Sequence, residues 1–316
     1  MQLKIIIIII IIIIKRNLSK RPTISNIEAT MIPSPVFVKY DSALFDAIHR
    51  DVPTFLPPED HKEAITWILS IAGAITLFHL VLLQIVKVWQ GSKETTHATW
   101  KASYQLTNLL VNLILGCVGI YYQLFKIKSD EAILDRIVGN EHMMLFSAGQ
   151  VGYQLWALPI GIIFVGETKS MIIHHVAVIC VGSVTAFISS GFRYFTPYFY
   201  GVIEISSVPL SVMNSFKNNP DWIEKYPGAY KNVRLVFGIT FLLVRVVLWT
   251  PIYWNFVSLA SMLLYSSDVV STQIILSIFI LASLVLTILQ YFWASKIVGA
   301  LVKGGPKKKK EAKRVD

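Results

Sequence analysis

Residues 171–190 read Met-Ile-Ile-His-His-Val-Ala-Val-Ile-Cys-Val-Gly-Ser-Val-Thr-Ala-Phe-Ile-Ser-Ser, an apolar run interrupted early by adjacent His174 and His175. About twenty such residues are what a helix needs to cross a ~30 Å hydrocarbon core. A second apolar stretch follows, Gly201-Val-Ile-Glu204-Ile-Ser206-Ser207-Val-Pro209, leading to Asn214. A charged group at bilayer depth costs roughly 2.5–3.5 kcal/mol on insertion scales, so it faces a bundle interior or a wet cavity. Two imidazoles, a carboxylate and an amide close together in lipid therefore mark a site.

The rest of the chain agrees with a membrane reading. Of 316 residues, 54% are hydrophobic and only 15% charged, with a mean hydropathy of +0.58. A soluble domain carries nearer a quarter charged residues. Seven apolar blocks are predicted, at about 64–89, 102–125, 143–165, 171–190, 196–216, 235–257 and 272–295. Blocks four and five have little chain between them, and a bent or re-entrant pair is the alternative to two full crossings. The expected fold is all-α and polytopic, with about seven transmembrane helices.

Loop charges give the orientation. One side gathers Lys87, Lys93, Lys101, Lys169, Lys217, Lys225, Lys231, Arg234 and the tail Lys307–Lys310 with Lys313-Arg314. The other holds Lys126, Lys128, Arg136 and Arg193 among Asp130, Glu131, Asp135, Glu141 and Asp268. By the positive-inside rule the lysine-rich side, with the C-terminus, is cytosolic. The basic tail reads as a juxtamembrane segment for anionic lipid, and no nucleic-acid partner is expected. Trp67, Trp89, Trp100, Trp249, Trp254 and Trp293 lie near block ends as interfacial anchors would. Cys117 and Cys180 read as packing residues.

Three regions follow: an N-terminal low-complexity and extramembrane segment (1–62), a transmembrane domain (63–298) and a basic tail (299–316). The ten isoleucines Ile5–Ile14 span about 15 Å as a helix, half a bilayer core. They read as low-complexity sequence upstream of a start at Met31.

The intramembrane polar residues can be placed by depth. Glu204 precedes Lys217 by thirteen residues and Arg245 follows Arg234 by eleven, so both lie near mid-membrane, where an ion pair between blocks five and six is expected. A cytosol-facing pocket is expected among His174, His175, Ser211 and Asn214, with Glu204, Ser207 and Arg245 completing its lining. His79, Asn108, Asn112, Gln150 and Gln154 would extend it or hydrogen-bond between helices. Adjacent helical residues point about 100° apart, so only one of the two histidines should aim squarely at the cavity. Imidazole titrates near neutral pH, and the pair is the candidate catalytic group.

His174-His175 followed by Glu204-Ile-Ser206-Ser207-Val-Pro209 and Asn214-Ser-Phe-Lys217 resembles the TLC-domain family over roughly residues 60–298. The second motif looks most like the branch of TLC domain-containing protein 4 and its relatives, and more distantly the ceramide synthases. Here the proline stands one position late and the asparagine is further displaced. The resemblance implies a helical barrel with a cavity open to the cytosol and an endoplasmic-reticulum or related endomembrane address. It also implies a role in membrane lipid homeostasis, with a lipid or acyl group bound in that cavity.

The alternative is an N-acyltransferase of ceramide-synthase type, with acyl-coenzyme A as co-substrate and the histidine pair as base. That branch carries aspartates after the histidines, whereas Tyr194–Tyr200 offers none. No other cofactor is expected. No metal is expected either, because the seven histidines form no His-x-x-x-His or His-x-x-His-His box.

Overall fold

The computed structural model describes residues 58–91, 94–127, 136, 143–189, 191–267 and 269–302. The isoleucine run, the basic tail, Lys93, Lys128, Asp130, Glu131, Asp135, Glu141 and Asp268 lie outside the described residues. Everything described is helix, turn or short connection. Six apolar helical stretches are long enough to cross a bilayer: His61–Trp89, His97–Phe125, Met144–Val165, Lys169–Ile188, Pro227–Tyr265 and Val270–Leu301. The protein is an all-α, multi-pass membrane protein.

In chain order the elements are α1 (Pro58–Trp89), α2 (His97–Phe125), α3 (Met144–Ile160), α4 (Lys169–Ser183), α5 (Thr196–Phe199), α6 (Ser207–Asn218), α7 (Pro220–Lys225), α8 (Pro227–Leu242), α9 (Trp249–Ser266) and α10 (Val270–Val302). Widened π turns extend α3 (Gly161–Val165) and α4 (Val184–Ile188), and a third (Leu243–Val247) joins α8 to α9.

The fifth block differs from a single crossing helix. It is broken into a 3-10 turn at Arg193–Phe195, the one-turn α5, a second 3-10 turn at Val202–Ser206, and α6. Pro209 explains the last break. It has no N–H to donate to the Ile205 carbonyl four residues back, so it fits only the first turn of a helix that starts at Ser207. Just before this block Arg193 is buried instead of standing in a loop. Its guanidinium donates to the Thr185 and Ala186 carbonyls at 3.2 and 3.3 Å, oxygens left over where α4 runs out.

Packing closes these elements into a ring. Helix α1 packs on α2, α2 on α6, α6 on α8, α8 on α10, α10 on α4, α4 on α3, and α3 back on α1. The short α6 thus fills the place in the wall that a continuous fifth helix would take. Outward faces of the ring are apolar, as lipid demands: Leu77, Ile163, Val247 and Leu281 are all largely exposed. Cys117 and Cys180 also face outward and are not core packing. Trp67, Trp89 and Trp254 are exposed, but Trp249 is buried and Trp293 lies against His174, so those two are internal and not interfacial anchors.

Candidate functional site

The interior of the ring is polar at one end and apolar at the other. Helix α4 supplies the imidazoles. Its start is fixed by a tight connection: Gly166, at φ 76°, ends the π turn of α3, and the Thr168 side chain accepts the Met171 N–H at 3.4 Å. Only three residues separate the two helical stretches, so His174 and His175 enter the ring beside the C-terminal half of α3.

A polar chamber is lined by Tyr104, Asn108 and Asn112 of α2, Tyr153 and Gln154 of α3, Glu167 of the α3–α4 connection, His174 and His175 of α4, Glu204, and Ser207, Ser211 and Asn214 of α6. It holds about 490 Å³ of empty space, mouth included. The N-terminal ends of α2 and α4 and the C-terminal ends of α3 and α6 meet here. Lys87, Lys101, Lys169 and Lys217 belong to the same end.

A second, apolar chamber, with about 560 Å³ of empty space when its open mouth is included, runs toward the opposite end. It lies between α4 (Val178, Val181), the Phe192–Tyr200 segment, α9 (Tyr253, Phe256) and α10 (Phe279, Leu286). His174 and Glu204 line both chambers. From His174 to Thr185 along α4 the apolar arm is about 16 Å deep at 1.5 Å per residue. Phe192 forms its far end, edge-on to Phe256 at 5.4 Å and tilted on Phe279 at 5.6 Å. Its backbone has φ 64°, a left-handed conformation that costs a bulky residue and is held by this packing.

Glu204 and Arg245 meet as their depths required, with Arg245 Nη2 3.3 Å from Glu204 Oε2 and both side chains about 95% buried. The guanidinium also donates to Ser206 Oγ at 2.7 Å, Ser207 Oγ at 3.0 Å and Gln290 Oε1 at 3.5 Å. Glu204 accepts further from Gln150 Nε2 at 3.1 Å and Ser207 Oγ at 2.6 Å. The local backbone makes this geometry. In the π turn the Leu248 N–H reaches five residues back to Leu243, and the Val244 carbonyl is free to accept from Tyr198 Oη at 2.5 Å. Arg245 itself lines neither chamber; it stands behind Glu204 and Ser207.

Both histidines, not one, line the polar chamber. His174 sits at the junction with its ring 5.5 Å from that of Trp293, and its Nδ1 is buried without a partner. His175 donates from Nδ1 to the Gln154 side-chain carbonyl, which leaves Nε2 as a buried, unpartnered lone pair. On α2 and α3 a relay runs from Asn112 Nδ2 to Tyr153 Oη at 3.4 Å and from Tyr153 to Asn108 Oδ1 at 2.8 Å. Gln150 lines the apolar arm instead. His79 lies outside both chambers, fully buried and 3.0 Å from Thr107 Oγ1.

Glu167 is the lining residue that sequence reading missed. It sits in the α3–α4 connection, where burial pushes its carboxyl above the ordinary value; hydrogen bonds to Tyr104 and to the Thr168 backbone act the other way. The available signal was a lone carboxylate in a three-residue connection between two membrane-crossing stretches. Among the described residues no three His, Cys, Asp or Glu side chains gather as metal ligands.

Comparison with known proteins gives one result. Residues 99–299 match the family model described as TLC domain (TRAM/LAG1/CLN8), 201 of the 316 residues and every element of the ring except α1. Searches among curated proteins and among solved structures found no match. With well over half its length covered by that family model, the chain belongs to the TLC-domain family.

Proposed function

We propose that this protein binds a single-chain lipid or acyl group inside its ring and acts in membrane lipid homeostasis. One observation carries the reading: an apolar arm and a polar chamber meet end to end at His174 and Glu204, a shape and polarity that match an amphiphile. The hydrocarbon chain lies along Val178, Val181 and Leu286 toward Phe192. The head lies among His175, Asn112, Ser207, Ser211 and Asn214. The lysine-bearing end then faces the cytosol, together with the C-terminus. An endoplasmic-reticulum or related endomembrane address and kinship with the TLC domain-containing protein 4 branch belong to the same proposal.

Native mass spectrometry of the purified protein tests it. The wild type should carry a co-purified single-chain lipid. Val181→Trp, which fills the arm at a buried position on α4, should lose most of it while eluting as the same folded species. Wild-type protein that carries no lipid, or a Val181→Trp variant that keeps it in full, overturns the reading.

The unpartnered His175 Nε2 favours a second reading, acyl transfer. His175 would take a proton from an acceptor amine as that nitrogen attacks the carbonyl of an acyl-coenzyme A. The thiolate leaves, an amide forms, and the proton passes to the sulfur. Labelled acyl-coenzyme A and an amine lipid should give product with wild type and none with His175→Ala; absence of product with wild type removes this reading and leaves binding untouched.

A further inference from the structure

Two buried hydrogen-bonding atoms of the polar chamber are acceptors without a donor, while a third unpartnered atom, His174 Nδ1 at the junction, takes either role with its tautomer. Asn112 Oδ1 and His175 Nε2 are buried with no partner, on side chains 3% and 4% exposed, and Gln150 Oε1 is orphaned at the junction beside Glu204. Four donors beside them are already used. Asn112 Nδ2 donates to Tyr153, Tyr153 to Asn108, His175 Nδ1 to Gln154, and Gln150 Nε2 to Glu204. Buried polar atoms are normally satisfied, and two orphan acceptors in one chamber call for a molecule that brings hydrogens to them.

The charges point the same way. Arg245 spends its guanidinium on Glu204, Ser206, Ser207 and Gln290 and lines neither chamber, and among the described residues no lysine or arginine lines the polar chamber. Glu204 is neutralised by that same arginine and by Gln150 and Ser207, and the chamber's other carboxyl, Glu167, is engaged by Tyr104 and the Thr168 backbone, so neither is left free for an ammonium. A phosphate would bring acceptors to these two acceptors, and no cation among the described lining residues would repay its desolvation.

We propose that the polar chamber takes an uncharged, hydroxyl-bearing head group, as on a monoacylglycerol, and rejects phosphate and carboxylate heads on the same chain. This rests on the amphiphile reading above and goes beyond it by naming the class of ligand. The hydroxyl hydrogens meet His175 Nε2 and Asn112 Oδ1, and the chain passes His174 into the apolar arm.

The test is retention by delipidated, purified protein of four probes sharing one sixteen-carbon chain: 1-monopalmitoylglycerol, 1-palmitoyl lysophosphatidate, palmitate and hexadecylamine. Monopalmitoylglycerol should be retained about tenfold better than each of the others, the worth of one ordinary hydrogen bond. Asn112→Leu, which removes an orphan acceptor, should reduce that preference by about the same factor. Equal or better retention of lysophosphatidate, palmitate or hexadecylamine by wild type overturns the head-group assignment while leaving the cavity reading intact. Retention of no probe, with Val181→Trp indistinguishable from wild type, removes the cavity reading and this proposal with it. The wild-type comparison stands by itself should Asn112→Leu fail to fold.

Discussion

Arg245→Met is expected to destabilise the purified protein by about 3–5 kcal/mol, because it leaves the Glu204 carboxylate buried without its counter-charge. The loss should appear as a lowered midpoint in detergent thermal unfolding. Glu204→Gln/Arg245→Met, which removes both charges, should recover most of it. An amide at 204 still accepts from Gln150 and Ser207, and the hydrophobic methionine carries no desolvation cost. The comparison separates two roles. If the pair only fixes the register of the segment before α6 against the π turn, the double variant regains stability and keeps its bound lipid. If Glu204 also shapes the junction between the chambers, stability returns and lipid retention does not. A double variant no more stable than Arg245→Met means the two side chains do not act as a pair.

That pair was legible in the sequence because depth along a membrane helix is nearly a count of residues from a charged end. The histidines, Ser207, Ser211 and Asn214 were legible for a related reason, since polar groups in lipid have few places to go. The break in the fifth block was less so. Hydropathy averages over a window, and Val202, Ile203, Ile205 and Val208 keep the average high although Pro197, Gly201 and Pro209 deny the run a continuous ladder. Only one histidine was expected to aim squarely at the cavity; both line it because the chamber wraps around α4. His175 faces Gln154 on α3 while His174 faces Trp293 on α10. The apolar arm left no trace at all. Phe192, Phe195, Phe256 and Phe279 look like ordinary core by composition, and only their arrangement around an empty space distinguishes them.

Gly201→Ala, together with Gly119→Ala, is expected to be among the most damaging single-methyl changes at the described glycines. A Cβ at Gly201 would stand 2.5 Å from the Pro197 carbonyl oxygen, 2.6 Å from Gly119 Cα and 3.1 Å from the Leu115 carbonyl oxygen. All three are backbone atoms, so no side-chain rotamer can relieve the clash. The reciprocal change at Gly119 meets Gly201 and Val202 at 2.5 Å. Two glycines thus let the broken segment lie directly on α2, a close backbone approach of the kind small residues permit between membrane helices. Overpacking a core by a methyl or two typically costs about 1–3 kcal/mol, and here α2 and the segment carrying Glu204 must separate, so at least the top of that range is expected. Separation would also carry Glu204 away from Gln150 and Arg245. Gly201→Ala should therefore lower the unfolding midpoint and lose co-purified lipid together, whereas Gly228→Ala, whose Cβ meets nothing within 4 Å, should do neither. A Gly201→Ala variant with wild-type stability and full lipid retention would mean that the contact with α2 does not position the junction.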